Sequence, residues 1–109
     1  MARGVNRGEI WMHTFKFPDK RRPVVILTRQ SAIAFMQTVI VAPITSTIRD
    51  IPSEVLVGVE EGLKGPSTVK LDNVQAVERS HLHSFVGSLS SNKMRAVCRA
   101  LAVATGCDL

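Results

Sequence analysis

Cysteine is scarce in this chain. The two present, Cys98 and Cys107, do not have zinc-ligand spacing, and no second pair of candidate ligands lies nearby. Free thiols in a reducing compartment are expected. No apolar run approaches the roughly 20 residues that a membrane-spanning helix requires. The arginines between Met1 and Gly8 are not followed by an apolar core of signal-peptide length. A cytoplasmic protein that makes no membrane contact is therefore expected. Internal repeats, low-complexity tracts and obvious linkers are also missing. With 109 residues, 45% of them hydrophobic, the chain is expected to form a single domain, 1–109, around one core.

Acidic residues are few in the first half. Residues 1–50 carry eight Lys/Arg against three Asp/Glu, whereas residues 51–109 carry six of each, so the whole formal net charge of +5 arises before residue 51. Basic charge concentrated in this way favours a polyanionic partner, because neutralised phosphates release counterions. Charge alone does not separate RNA from DNA or from an acidic protein, and a merely soluble basic surface would also account for it.

Hydrophobic patterning gives a mainly β chain. Gly8 to Phe15 alternates loosely and reads as a strand. After the charged turn Phe17-Pro18-Asp19-Lys20-Arg21, the β-branched run Pro23 to Thr28 has the composition of a strand buried on both sides. A short helical turn fits between Arg29 and Phe35. A second apolar run, Thr38 to Ala42, meets Pro43, where a strand is expected to end or bend. Ser53 to Val59 alternates again, and Glu60 to Pro66, with two glycines and a proline, reads as a loop. Two further short strands, Ser67 to Leu71 and Val74 to Val77, join at Asp72-Asn73. Met94, Val97, Cys98, Leu101 and Thr105 recur at helical intervals, with Ser90 or Ser91 to cap the start and Gly106 to end it. Five or six short strands followed by one amphipathic helix imply a small, strongly curved, SH3-like antiparallel barrel with a C-terminal helix packed against it. Such barrels host many functions, so function must be sought in particular residues.

Arg7-Gly8-Glu9-Ile10-Trp11 resembles the opening strand of MazF/PemK toxins, and Arg22-Pro23-Val24-Val25-Ile26 is similar to that family's second strand. Val41-Ala42-Pro43-Ile44-Thr45 looks like its strand ending in Ser or Thr, and Ser67-Thr68-Val69-Lys70-Leu71-Asp72-Asn73-Val74 like its later strand and turn. Order and approximate spacing agree. Val86-Gly87-Ser88-Leu89 and the capped helix to Gly106 extend the likeness over nearly the whole chain. One departure is that the stretch between the first strand and Arg22, Lys16 to Arg21, is shorter than the family's glycine-containing loop.

The resemblance implies a CcdB/MazF-like barrel, a homodimer whose groove takes single-stranded RNA and is blocked by a disordered cognate antitoxin. It also implies an endoribonuclease that arrests growth and needs no metal or other cofactor. RNA carries its own nucleophile, the 2′-hydroxyl, so the protein need only position the strand, stabilise charge on the phosphoryl oxygens and assist proton transfer. The sequence, which has no cluster of carboxylates, is consistent with this.

On the family pattern Arg22 is the first catalytic candidate, since its planar fork suits bidentate phosphate contact. A free guanidinium loses its proton only above about pH 12, so charge stabilisation and proton donation are easier roles for it than general base. Without the family, Arg22 would be read as a solvated residue before a strand proline. Thr45 matches the Ser/Thr partner, with Ser46 as an immediate alternative; without the motif, Thr45 would be a local backbone hydrogen-bonder. Lys20, Arg21 and Arg49 are candidates to steer the RNA backbone, and Asn73 or Gln75 to read a base edge, the plain alternative being exposed polar side chains. Trp11 either stacks a base or packs in the core or at an interface. His81 and His83 would point the same way only in an extended segment, and His13 is far off in sequence, so no histidine set for metal or acid–base work is recognisable. Two other classes remain open: a CcdB-like gyrase-poisoning toxin, which would not need the Arg22 and Thr45 pair, and a non-catalytic RNA-binding barrel.

Overall fold

A computed structural model describes residues 4–15 and 21–108. Seven strands and two helices follow in the order β1 (Glu9–Thr14), β2 (Arg21–Ile26), α1 (Gln30–Ile33), β3 (Thr38–Thr45), β4 (Glu54–Val57), β5 (Ser67–Lys70), β6 (Gln75–Glu78), β7 (Leu82–Ser88) and α2 (Ser91–Thr105). All strand pairings are antiparallel, in the order β4-β5-β3-β2-β1-β7, with β6 also on β3. The expected curved antiparallel sheet with a C-terminal helix is present. Its edge strands β4 and β7 do not pair with each other, so no continuous hydrogen-bonded barrel forms.

Both faces of the sheet are covered, which is why Val24, Val25 and Ile26 of β2 are all fully buried. On one face Ile10, Val25, Ile44, Val55, Val69 and Leu71 pack with Val97 and Ala100 of α2. On the other, Trp11, Val24, Ile26, Val41 and Val77 pack with Ile33 of α1. Ser90 caps α2, its hydroxyl accepting the Lys93 N–H at 3.1 Å, and Gly106 ends the helix in the left-handed region at φ 75°.

Two expectations need correction. Of the end or bend expected at Pro43, the end does not occur, since β3 runs through Pro43 to Thr45. Leu27 N donates to Ile40 O at 2.8 Å, so hydrogen-bonded pairs with β2 fall at Ile40 and, by alternation, Ala42. Pro43, opposite Val24, therefore turns its ring nitrogen away from β2. On that side β6 pairing has ended at Val41 and β5 pairing begins at Ile44, so no ladder needs the missing N–H. The second concerns the strand count, seven among the described residues against the five or six expected, the addition being β7, which pairs with β1. Its burial does not alternate cleanly, and two register shifts interrupt its ladder, so period-two patterning does not reveal it.

β7 also meets the turn after β4 at a pair of glycines. A Cβ on Gly62, at φ +95°, would lie 2.4 Å from the Val86 carbonyl oxygen, and one on Gly87 would lie 2.0 Å from that of Glu61. Backbone contact between glycines thus brings the two ends of the sheet together where no ladder does.

Candidate active site

Arg22 and Thr45 stand on neighbouring strands. β2 and β3 pair with Val25 opposite Ala42 and Val24 opposite Pro43. That pairing ends at Val24 and Pro43, and two residues further along each strand Arg22 and Thr45 both reach the same cleft. Both residues are half-buried and line one cleft of about 280 Å3. The Thr45 hydroxyl oxygen accepts the N–H of Thr47 at 3.2 Å, which leaves its proton available to an acceptor in the cleft.

Arg49, Asn73 and Gln75 line the same cleft. Arg49 lies in the segment between β3 and β4, which turns at Asp50 with φ 54°. That segment is tied at two points: Arg49 N–H donates to Glu54 Oε1 at 3.3 Å, and Ser53 Oγ donates to Asp72 Oδ2 at 2.5 Å. Asp72 belongs to the 3-10 turn Leu71–Asn73, so the second contact also fixes the turn that presents Asn73. Arg21 and Ser46 line instead a second cavity of about 480 Å3, which shares Arg22, Ile44 and Thr45 with the first. The Arg21 guanidinium reaches Ser84 Oγ at 3.4 Å. Lys20 lies outside the described residues.

Sequence reasoning missed Lys70 and Phe15, both of which line the first cleft. Lys70 closes the motif Ser67 to Lys70, where a cation ending an otherwise uncharged strand is the available signal. Phe15 follows β1 and carries no comparable mark. The described lining of the cleft thus combines three cations, amides, hydroxyls and one aromatic ring. It suits a phosphate flanked by a base.

Trp11 takes the core reading. It is only 5% exposed, its indole N–H donates to Glu9 Oε1 at 3.0 Å, and the Phe85 ring meets it edge-on at 5.8 Å. The histidines are closer together than their sequence separation suggests. His13 lies 6.4 Å from His81, ring to ring, and His83 Nε2 is 3.2 Å from Thr14 Oγ1. His13 is 7% exposed and its Nδ1 has no partner. Burial pushes its pKa below the ordinary histidine value, and the nearby His81 and His83 push it the same way. None of the three lines either cavity. Among the described residues no group of three or more His, Cys, Asp or Glu is placed to hold a metal ion.

A strongly curved antiparallel sheet backed by one C-terminal helix, with an arginine and a hydroxyl facing a basic cleft, defines the class of small toxin folds that the sequence resembles. The chain belongs to the PemK-like, MazF-like family of toxins of type II toxin–antitoxin systems, whose model matches residues 6–105. It is 41% identical over 105 residues to "Probable endoribonuclease MazF5" of Mycobacterium tuberculosis, covering 94% of each chain. Among solved structures it is similar to "Mycobacterium tuberculosis toxin MazF-mt6", with TM-score 0.85, 36% identity, and 93% of this chain and 99% of that one covered. The fold is shared as well with a mycobacterial "Endoribonuclease in complex with its cognate antitoxin", at TM-score 0.84 and 24% identity over 94% of this chain and 96% of that one.

Proposed function

We propose that this chain, an endoribonuclease toxin by family, cuts single-stranded RNA by helping the substrate's own 2′-hydroxyl attack the adjacent phosphorus. The 2′-O–P bond forms and the P–O5′ bond breaks, giving a 2′,3′-cyclic phosphate and a 5′-hydroxyl. The 2′-proton leaves to solvent as the departing oxygen gains one. The observation that carries this reading is that Arg22 of β2 and Thr45 of β3 line one cleft that also holds Arg49 and Lys70. Arg22 grips the phosphoryl oxygens through its fork and stabilises charge that grows in the transition state, while Thr45 donates its free proton to the same group. Arg49 and Lys70 hold the flanking backbone, and Asn73 and Gln75, both exposed, present amides to a base edge.

A homodimer and an antitoxin complete this reading. The chain between α1 and β3 leaves Phe35 89% and Met36 39% exposed, and β3 leaves Ile40 48% exposed, apolar surface that a second copy would cover. The basic cleft is complementary to an acidic, disordered antitoxin segment competing with RNA. Among the described residues no helix is long and apolar enough to cross a membrane, and an RNA substrate supports a cytoplasmic location.

The test is cleavage of a defined RNA with analysis of fragment ends. Arg22→Ala should lower the rate by at least about 100-fold with the fold intact, as loss of one transition-state donor does. Arg22→Lys should also fail, since an ammonium lacks the fork. Thr45→Val should fall similarly. Activity should persist in EDTA, and one 2′-deoxy nucleotide at the cut should protect the strand. Near-parent cleavage by folded Arg22→Ala, or cutting of the 2′-deoxy strand, would overturn the mechanism.

A further inference from the structure

We propose that Arg22 and Thr45 stand on a divide between two nucleotide subsites, and that the cavity beneath the turn after β4 receives the nucleotide on the far side of the scissile phosphate. This rests on the nuclease reading above. The 280 Å3 cleft and the 480 Å3 cavity meet at Arg22, Ile44 and Thr45. A phosphate held by that pair therefore has one pocket on either side of it. A dinucleotide has the same form, with two bases flanking one phosphate.

The two pockets differ in chemistry. The first offers the amides of Asn73 and Gln75 and the ring of Phe15, groups that read hydrogen-bonding edges and stack. The second is floored by Met12, Leu63, Pro66 and Val86, with Arg21 and Lys64 beside them. A base there would be held by its faces, its size and a Lys64 contact to its edge, and Arg21 suits the next phosphate along the strand. The cavity is also held in shape. Glu61, 6% exposed, accepts the Gly58 N–H at 2.6 Å, and the Gly62–Gly87 contact fastens the turn to β7. Leu63 packs onto the core beneath.

The test uses the full chain and a pool of RNA of fully degenerate sequence, reading base frequencies on each side of the cut by sequencing both fragments. Frequencies are normalised within each variant, so a change in overall rate does not enter. Met12→Ala and the exposed Lys64→Ala should shift preference on one side of the cut by on the order of tenfold, the scale of one altered pocket contact. Asn73→Ala and Gln75→Ala should shift the opposite side. Should Met12→Ala not fold, Lys64→Ala decides alone. Unchanged preferences in a protein that still cuts, or all four variants acting on the same side, would overturn the two-subsite assignment. No cutting by the unsubstituted protein would instead overturn the nuclease reading on which it stands.

Discussion

Replacing Gly87 by alanine places a methyl group 2.0 Å from the Glu61 carbonyl oxygen and 3.3 Å from the Gly62 Cα. Both neighbours are backbone, so no side chain can rotate out of the way. Either β7 or the turn must move, and neither is free. Gly87 pairs with Ile10, which is fully buried, and the turn is pinned by the Glu61 contact to Gly58 N–H. Overpacking a tight interior typically costs about 1–3 kcal/mol, and a contact between two constrained backbones belongs at the upper end. A loss of about 3 kcal/mol in a domain of this size lowers Tm by roughly 10–20 °C. Gly65→Ala is the internal control, since a Cβ there has nothing within 4 Å, and its stability should change by no more than about 0.5 kcal/mol. Thermal unfolding followed by circular dichroism measures both. A Gly87→Ala protein melting within about 3 °C of the parent would show that the two ends of the sheet do not need this contact.

Two other predictions concern the cleft and its surroundings. Lys70→Ala should weaken binding of a non-cleavable RNA and reduce the slope of log affinity against log salt by about 0.7, the contribution of one neutralised phosphate on a single strand; an unchanged slope in salt titrations would remove Lys70 from the RNA path. His13 makes stability depend on pH. An unfolded histidine takes up its proton near the ordinary value of 6.5, whereas the folded His13 resists to lower pH. The unfolded state then binds more protons below about 6.5, and stability falls as pH drops through that window. The Tm of His13→Gln should decline less between about pH 7 and pH 5, and parallel Tm–pH curves for the two proteins would refute the assignment.

How much of this was legible in the sequence varies with the reach of the signal. The second half of β2 announces itself because a strand covered on both faces is apolar at every position, the first half of β3 through its β-branched run, and α2 because its period and caps are local. β7 is not visible, because polar residues such as His83 and Ser84 interrupt it and its reason for being a strand is the partner β1. Arg22 and Thr45 were legible through matched motifs, and Arg49, Asn73 and Gln75 proved to share their cleft. Lys70 and Lys64 were not, since each joins a cavity through tertiary placement, Lys70 at the end of β5 and Lys64 on the turn held against β7. The histidines show the same limit. His13 and His81 approach because β1 pairs with β7 next to the turn Arg79–His81, a neighbourhood that linear spacing conceals.

β3 contributes Thr45, β2 Arg22, β5 Lys70 and β6 Gln75, and all four strands meet only on β3. These pairings are non-local, so the cleft depends on contacts between segments far apart in the chain. No fragment that stops short of Gln75 contains the complete lining. A chain cut short before Gln75 therefore keeps Arg22 and Thr45 but lacks part of the wall that surrounds them.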